Sequence, residues 1–222
     1  MRSHKALIAA AMLASAIFIG EDILAQDAGN SARKPKRLDT VLQSGHVEGI
    51  HSAAISADGG ILATGSSDRT VKIWDMATGD LIRTISGHAG GIESVALSPD
   101  GAFVLSGSRD RTARIWDIRT GALMRTFEGH KDHVNAVAVS PDGKFAATGS
   151  TDETVMLWDF STGACIRTLK GHEDMVCALT FSPDGKYLVS GSHGTTLRIW
   201  NTATGDQVRR LQGPAWVKTL PA

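Results

Sequence analysis

A segment of 42 residues determines the fold of this chain because it recurs along it; at residues 87–128 it reads GHAGGIESVALSPDGAFVLSGSRDRTARIWDIRTGALMRTFE. Residues 129–170 repeat it with 20 identities in 42 positions, and copies at the same step occupy residues 45–86 and 171–212. A fixed period of this size is typical of repeat architectures, in which each unit packs on its neighbours in the chain. We therefore interpret residues 45–212 as one domain built from four repeats.

Each repeat is predicted to form four short strands. In the second repeat we expect strands at residues 92–98, 103–108, 112–117 and 122–127, and the first of them stops at a Ser-Pro-Asp-Gly turn. The inner strands carry apolar side chains on both faces, so each sheet must lie between two neighbours. Four-stranded sheets packed face to face in chain order are the blades of a β-propeller, whose repeats measure ~40–45 residues. The sequence thus predicts an all-β fold with four four-stranded blades.

Two dipeptides and one turn recur at the period of 42 residues. The dipeptides are Trp-Asp at 74, 116 and 158, with Trp200-Asn201 as a variant, and Gly-His at 45, 87, 129 and 171. The turn is Ser-Pro-Asp-Gly at 98, 140 and 182, with Ser-Ala-Asp-Gly at 56. In these motifs the chain resembles the WD40 repeat family over residues 45–212. The resemblance implies a non-catalytic β-propeller scaffold that mediates protein–protein or protein–peptide interaction.

The repeats share a constellation of His, Ser or Thr, Asp and Trp. Its members are His46, Thr64, Asp68 and Trp74; His88, Ser106, Asp110 and Trp116; His130, Thr148, Asp152 and Trp158; and His172, Ser190 and Trp200. The family resemblance implies a hydrogen-bonded chain inside each blade, from Asp to His to hydroxyl to indole N–H. The donors and acceptors match, since neutral His and a hydroxyl can each donate and accept. A nucleophile beneath a Trp is closed to substrate, so we interpret these sets as structural and not as catalytic triads.

The fourth repeat lacks the acid of this constellation, because Gly194 stands at the Asp position. Losing the buried acceptor that orients a His costs on the order of 1–3 kcal/mol. The fourth blade is therefore predicted to be the least stable. Decay of the repeat and capping of the repeat array are both open explanations, since terminal repeats are often atypical.

The resemblance places partner binding on the narrow face of the ring, at the start of the inner strand and just before the turn Asp. Residues at these positions differ between the repeats. The candidate partner-binding residues are His51, Glu93, Asn135, Cys177, His133, Met175, Arg109, Thr151 and His193. Gly49, Gly91 and Ser67 complete the same positions in the first two repeats. A binding face and neutral drift of exposed positions both produce such variation.

Charge and motif content narrow the classes of function. Lys and Arg number 23 and Asp and Glu number 23, so no basic excess attracts nucleic acid. The sequence has no phosphate-binding Gly-rich loop, no nucleophile elbow and no metal-ligand spacing. We therefore predict no cofactor, no metal site and no enzymatic activity. The alternatives kept open are a small-ligand or glycan sensor, a propeller enzyme that uses the central funnel, and an inactive truncated relic of a longer propeller.

The N-terminal residues predict export. Arg2 and Lys5 precede 15 residues without an ionised side chain, and a small residue, Ala25, suits cleavage of a signal peptide over residues 1–25. The mature chain is then periplasmic or secreted and has no stable membrane span, whereas the alternative is an uncleaved N-terminal anchor. We expect residues 26–44 to be a linker with a closing strand at 37–43 and residues 213–222 to be a tail.

Two further expectations concern cysteine and ring closure. Cys165 and Cys177 are expected to be isolated buried thiols on strands of neighbouring sheets, without a disulfide. Propellers have ~4–8 blades, so four repeats lie at the lower limit. The sequence leaves three resolutions: a four-bladed monomer, a homodimer that closes an eight-bladed ring head to tail, or an arc of a longer protein.

Overall fold

The computed structural model describes residues 45–212, which form sixteen strands and no helix. The chain divides into two compact units, Met1–Val47 and Glu48–Ala222, and all of these strands belong to the second. The predicted signal peptide with its cleavage after Ala25, the linker with its closing strand and the C-terminal tail lie outside the described residues.

The strands form four antiparallel sheets of four strands each, with the strands of every sheet in chain order. The first two sheets contain β1 (Ile50–Ile55), β2 (Ile61–Ser66), β3 (Thr70–Asp75) and β4 (Leu81–Ser86), then β5 (Ile92–Leu97), β6 (Phe103–Ser108), β7 (Ala113–Asp117) and β8 (Leu123–Phe127). The third and fourth contain β9 (Val134–Val139), β10 (Phe145–Ser150), β11 (Val155–Asp159) and β12 (Cys165–Leu169), then β13 (Val176–Phe181), β14 (Tyr187–Ser192), β15 (Thr196–Asn201) and β16 (Gln207–Gln212). The all-β fold with four four-stranded blades is confirmed.

The turns explain why the strands end where they do. In the second sheet the Ser98 Oγ donates to Asp100 at 2.5 Å, and the Gly101 N–H donates to the Ser98 carbonyl at 2.9 Å. Gly101 has a φ of +68°, which lies in the left-handed region that glycine adopts without steric cost. The four predicted strands of this repeat match β5 to β8 to within one residue at each end.

Consecutive sheets pack face to face through three apolar clusters, which join the first sheet to the second, the second to the third and the third to the fourth. Each interface depends on a glycine in the second strand. A methyl group added at Gly149 would lie 2.6 Å from Val176 Cγ1 of the next sheet, and one at Gly65 would lie equally close to Ile92. Any larger residue would push the sheets apart, so glycine sets their spacing.

The tryptophans fill the outer part of these interfaces. Trp158 stacks on Phe127 of the preceding sheet, with ring centroids 5.0 Å apart and planes at 10°. Trp200 belongs to the same buried cluster as Leu169, and Trp116 to the same cluster as Ile85. The Trp of one repeat is thus part of the core of the interface with the sheet before it.

The expectation of buried thiols is wrong, because Cys165 and Cys177 are both exposed and free. Both residues lie at the margins of their sheets. Cys165 is the first residue of the outermost strand β12, and Cys177 is the second residue of the inner strand β13. They do lie on strands of neighbouring sheets, as predicted. Because both are free, no disulfide joins these two sheets.

Candidate functional site: one edge of the four sheets

One edge of every sheet brings together the start of the inner strand and the turn between the second and third strands. At this edge one backbone hydrogen bond recurs in all four sheets. The donor is the N–H of the residue just before the turn Asp position. The acceptor is the carbonyl of the third residue after the histidine of the Gly-His dipeptide. The four bonds are Ser67 to Gly49, Arg109 to Gly91, Thr151 to His133 and His193 to Met175, each at 2.9 Å. The structure thus groups the candidate partner-binding positions within each sheet. We call these positions, with the fifth residue after each histidine, the rim.

The side chains of the rim are paired within the first three sheets. His51 Nε2 lies 2.6 Å from the Ser67 Oγ in the first sheet. An ion pair joins Arg109 to Glu93 in the second sheet. The Asn135 Nδ2 donates to the Thr151 Oγ1 at 2.8 Å in the third. Each pair joins residues sixteen positions apart, so a change at one position of the rim is matched by a change at the other.

The fourth sheet departs from this pairing. Cys177 Sγ lies 3.6 Å from the Gly191 carbonyl, whereas His193 Nδ1 lies 3.5 Å from Asp174 Oδ2. Both Cys177 and His193 are exposed. The fourth part of the rim therefore offers a thiol and an imidazole next to a carboxylate, in place of one closed polar pair.

The rim is continuous from one sheet to the next. Gly91 lies so close to Ser67 of the first sheet that an added methyl group would be 3.1 Å from its Cα. Asn135 Nδ2 lies 3.5 Å from the Val176 carbonyl of the fourth sheet. The third residue after the histidine is glycine in the first two sheets and His133 or Met175 in the last two. One half of the rim is therefore flat and the other half carries protruding side chains.

The pairing across the rim is not visible in the sequence when each position is compared alone, because each position shows only variation between the repeats. The available signal is the constant spacing of sixteen residues, combined with side-chain chemistry that matches at both ends, as in Glu93 with Arg109. Recognising that signal requires the register between the inner strand and the turn, which only the sheet supplies.

Beneath the rim, the second and third sheets contain complete chains of side-chain hydrogen bonds. His88 Nδ1 lies 2.8 Å from Asp110 Oδ2, and its Nε2 lies 2.8 Å from the Ser106 Oγ, which accepts from the Trp116 Nε1 at 2.8 Å. In the third sheet the corresponding distances are 2.9, 2.7 and 2.9 Å, and they join Asp152, His130, Thr148 and Trp158.

Members of the same arrangement are also bonded in the first and fourth sheets. The Trp74 Nε1 donates to the Thr64 Oγ1 at 2.8 Å, and the Asp68 Oδ1 accepts from the Thr70 Oγ1 at 2.6 Å. His46 belongs to the unit of residues 1–47 and is described apart from the sheet. In the fourth sheet His172 Nε2 lies 2.7 Å from the Ser190 Oγ, which accepts from the Trp200 Nε1 at 2.8 Å.

Electrostatics fix the protonation states in the second sheet. Burial lowers the pKa of His88 despite the opposing effect of Asp110, so the imidazole is neutral at pH 7. Burial alone would raise the pKa of Asp110, but hydrogen bonds from Thr112 and His88 outweigh it and lower that pKa to about 2. A neutral His protonated at Nδ1 donates to the carboxylate and accepts from Ser106 at Nε2. The chain is internally satisfied, and its Ser106 hydroxyl is buried beneath Trp116.

Within residues 45–212, no group of three or more His, Cys, Asp or Glu side chains is arranged to hold a metal ion. The same part of the chain contains no helix with the length and apolar character needed to cross a membrane.

The chain matches the model of the family "WD domain, G-beta repeat" at residues 37–75, 79–117, 121–159 and 163–201. These four matches cover more than half of the sequence, so the chain belongs to the WD40 repeat family, as the motifs predicted. Members of this family are in general non-catalytic scaffolds for protein interaction. The matched segments are displaced from the sheets, since 79–117 runs from the fourth strand of the first sheet to the third strand of the second.

Relatives among characterised proteins match over a short segment. The chain is 42% identical over 48 residues to the ribosome biogenesis protein BOP1 homologs of Drosophila virilis and Drosophila melanogaster. This segment is 22% of the chain and 6% of each relative. One repeat and its flanks account for a match of that length, so the likeness reflects the shared repeat.

Proposed function

We propose that this chain is an exported, non-catalytic interaction scaffold that binds a segment of a protein or a peptide along the rim. The observation that carries the proposal is the contrast between the two layers at this edge. The buried layer repeats the same His, hydroxyl and Trp from sheet to sheet, whereas the rim above it changes its paired side chains. A framework that stays constant beneath a varied, continuous surface is what a recognition face requires.

The form of the rim favours an extended partner. A segment that crosses it meets, in order, a His-Ser pair, the Glu93–Arg109 ion pair, an Asn-Thr pair and the exposed Cys177 and His193. The first two groups lie beside Gly49 and Gly91, where nothing protrudes to block the backbone of a ligand. Polar pairs with spare donors and acceptors recognise side chains at defined positions and so confer specificity.

The test uses peptides selected from a displayed random library against the intact chain. We expect the selected peptides to lose at least tenfold in affinity when Arg109, His193 and Met175 are replaced together by Ala, with no change in thermal midpoint. The matched control is the pair Lys144→Ala and Lys186→Ala, in exposed turns at the opposite edge of the third and fourth sheets. Peptides that bind the rim variant as tightly as the wild type but lose affinity for the control variant would contradict this placement.

Export has its own test, which does not depend on the partner. When the gene is expressed in a cell with a secretory pathway, the intact mass of the recovered protein should correspond to a chain that begins at Gln26. A chain that retains residues 1–25 in a membrane fraction would support the N-terminal anchor. A full-length chain in the cytosol would contradict export altogether.

The homodimer, one of the three resolutions that the sequence leaves open, belongs to the same proposal. Two sets of four sheets joined head to tail would extend the rim over eight sheets. A partner would then meet two copies of each rim pair in one ring.

A further inference from the structure

The three internal interfaces repeat the same contacts, so they specify what each end of the sheet stack lacks. The first residue of the inner strand is fully buried against the preceding sheet in three cases, Ile92, Val134 and Val176. Ile50 occupies the same position in the first sheet and is 57% exposed. It is an apolar side chain of the same kind without a preceding sheet to pack on.

The fourth sheet shows the complementary face. Val71, Ala113 and Val155 are buried where the next sheet covers them, whereas Leu197 at the same position is 46% exposed. Ile85, Phe127 and Leu169 are likewise buried, and Leu211 is 45% exposed. Gly191 occupies the position of the glycines that receive the next sheet, yet a methyl group added to it would meet only Leu197 and Ala178 of its own sheet.

The outer part of the first sheet is uncovered in the same way. Trp116, Trp158 and Trp200 are buried, but Trp74 is only half-buried. Met76 is 43% exposed, whereas Ile118 at the same position of the second sheet is buried. In the internal interfaces these positions pack on the outermost strand of the preceding sheet, so the first sheet presents the counterpart of the Leu211 face.

A polar contact repeats with the same spacing. The Arg83 Nη2 donates to the Arg119 carbonyl at 2.7 Å, the Arg125 Nε to the Ser161 carbonyl at 3.0 Å and the Arg167 Nη2 to the Ala203 carbonyl at 2.8 Å. Arg209 continues this series on the fourth sheet, and the carbonyl of Ala77 is the matching acceptor on the first. Gly79, the glycine of the first sheet that would lie beside such an arginine, has nothing within 4 Å of an added methyl group.

We infer that two copies of this chain associate head to tail, with the fourth sheet of each packed on the first sheet of the other. Leu197 and Gly191 then receive Ile50, Leu211 packs on Trp74, and Arg209 donates to the Ala77 carbonyl. Both surfaces belong to one chain and follow the register of its three internal interfaces, which favours a second copy over an unrelated partner. This inference deepens the proposed homodimer and does not depend on which ligand occupies the rim.

Two is the number of copies that closes a ring of ordinary size. A head-to-tail interface either closes into a ring or continues as a filament. Closed propellers have ~4–8 blades, so two copies give eight and three copies exceed the range. Within residues 48–212, the three apolar clusters join only consecutive sheets, so the first and fourth sheets of one copy keep their apolar faces for a second copy.

The test measures the solution mass of the full chain by light scattering over a range of concentration. We expect the mass of two copies for the wild type and of one copy for Ile50→Asp and for Leu197→Asp. The matched controls are Ile82→Asp and Val208→Asp, in the first and fourth sheets, at a position that is exposed in all four sheets. Both controls should keep the mass of two copies, and circular dichroism should show all four variants folded.

Mixing the variants tests the direction of the contact. Ile50→Asp keeps an intact fourth-sheet face and Leu197→Asp keeps an intact first-sheet face, so the mixture should regain a species of two copies. A pair built from two like faces would instead survive one of the single variants and would contradict the head-to-tail contact.

Other outcomes overturn the inference in distinguishable ways. A wild-type monomer whose mass is unaffected by the edge variants would contradict the association of two copies. Filaments would contradict closure by two copies. The rim variant of Arg109, His193 and Met175 should leave the mass unchanged, so a loss of partner binding and a loss of self-association are separately observed.

Discussion

The third and fourth sheets contain nearly the same hydrogen-bonded chain, in which the fourth sheet has Ser190 in place of Thr148 and Gly194 in place of Asp152. In both, the His Nε2 lies 2.7 Å from a hydroxyl that accepts from a buried Trp. In the third sheet His130 Nδ1 lies 2.9 Å from Asp152, whereas glycine stands at that position in the fourth. The comparison separates the hydrogen bond that positions the Trp from the hydrogen bond that the His makes with the acid.

A threonine remains beside the imidazole when the acid is missing. In the third sheet the Thr154 Oγ1 donates to Asp152 at 2.6 Å and lies 3.3 Å from His130 Nδ1, and in the fourth the Thr196 Oγ1 lies 3.1 Å from His172 Nδ1. The imidazole keeps its orientation but loses its anionic partner. Burial, followed by the nearby Arg198 and Arg210, lowers the pKa of His172 to about 4. The acid is thus dispensable for the geometry of the chain, and we expect its loss to appear in stability and in pH response.

The largest loss of stability is expected from removing the Trp, which makes the same hydrogen bond in the third and fourth sheets. Trp158→Ala and Trp200→Ala should each lower the free energy of unfolding by about 3–5 kcal/mol, because each indole is buried against the preceding sheet. Urea denaturation measures both. Lys131→Ala, at an exposed position of the third sheet, is the control and should stay within about 0.5 kcal/mol of the wild type. A small loss for Trp200→Ala alone would show that the fourth sheet is already detached.

Removing the acid of the third sheet should make it resemble the fourth. In Asp152→Gly the His130 imidazole, the Lys131 N–H and the Thr154 hydroxyl lose their acceptor. Lost acceptors of this kind cost about 1–3 kcal/mol, which urea denaturation can measure. Asp152→Asn keeps one acceptor oxygen and should lose less. Equal losses for both variants would assign the effect to charge and not to hydrogen bonding.

The features that depend only on neighbouring residues in the chain can be predicted from the sequence. Ser98, Pro99 and Gly101 fix a turn by their own dihedrals and hydrogen bonds, so the strands beside it could be placed to within one residue. The absence of an acid at 194 is also visible without a structure. The contact that Thr196 keeps with His172 is not, because a threonine stands at the same position in the third sheet, where it contacts both the acid and the imidazole.

The uncovered end faces show a second limit of prediction from sequence. Ile50 and Ile92 are the same residue at the same position of the repeat, yet one is exposed and the other buried. Their difference depends on whether another sheet precedes them. Cys177 is likewise exposed, whereas His51, Glu93 and Asn135 at the same position of the other sheets are half-buried.

Restoring the acid of the fourth sheet should produce a smaller gain. Gly194 has no left-handed φ, so an Asp can adopt its backbone conformation. An added Cβ would lie 3.1 Å from the Asp174 Cβ, and the third sheet accommodates an Asp at both corresponding positions, 132 and 152. We expect Gly194→Asp to raise the free energy of unfolding by about 1 kcal/mol, the usual net value of a hydrogen bond, as measured by urea denaturation. Gly194→Ala is the control, and an equal gain there would mean that only backbone entropy had changed.

The smallest effect is a change in the pH dependence of stability. His172 is protonated in the unfolded chain below about pH 6.5 but stays neutral in the folded chain down to about pH 4. The unfolded state therefore binds more protons between these values, so the stability of the wild type should fall as the pH is lowered through this window. A carboxylate at 194 would raise the pKa of His172 and flatten this slope. Comparing the urea midpoints of the wild type and Gly194→Asp at several pH values isolates this contribution, because His88 titrates alike in both chains. Parallel slopes would show that an acid at 194 does not contact the imidazole and that its absence does not explain the low pKa of His172.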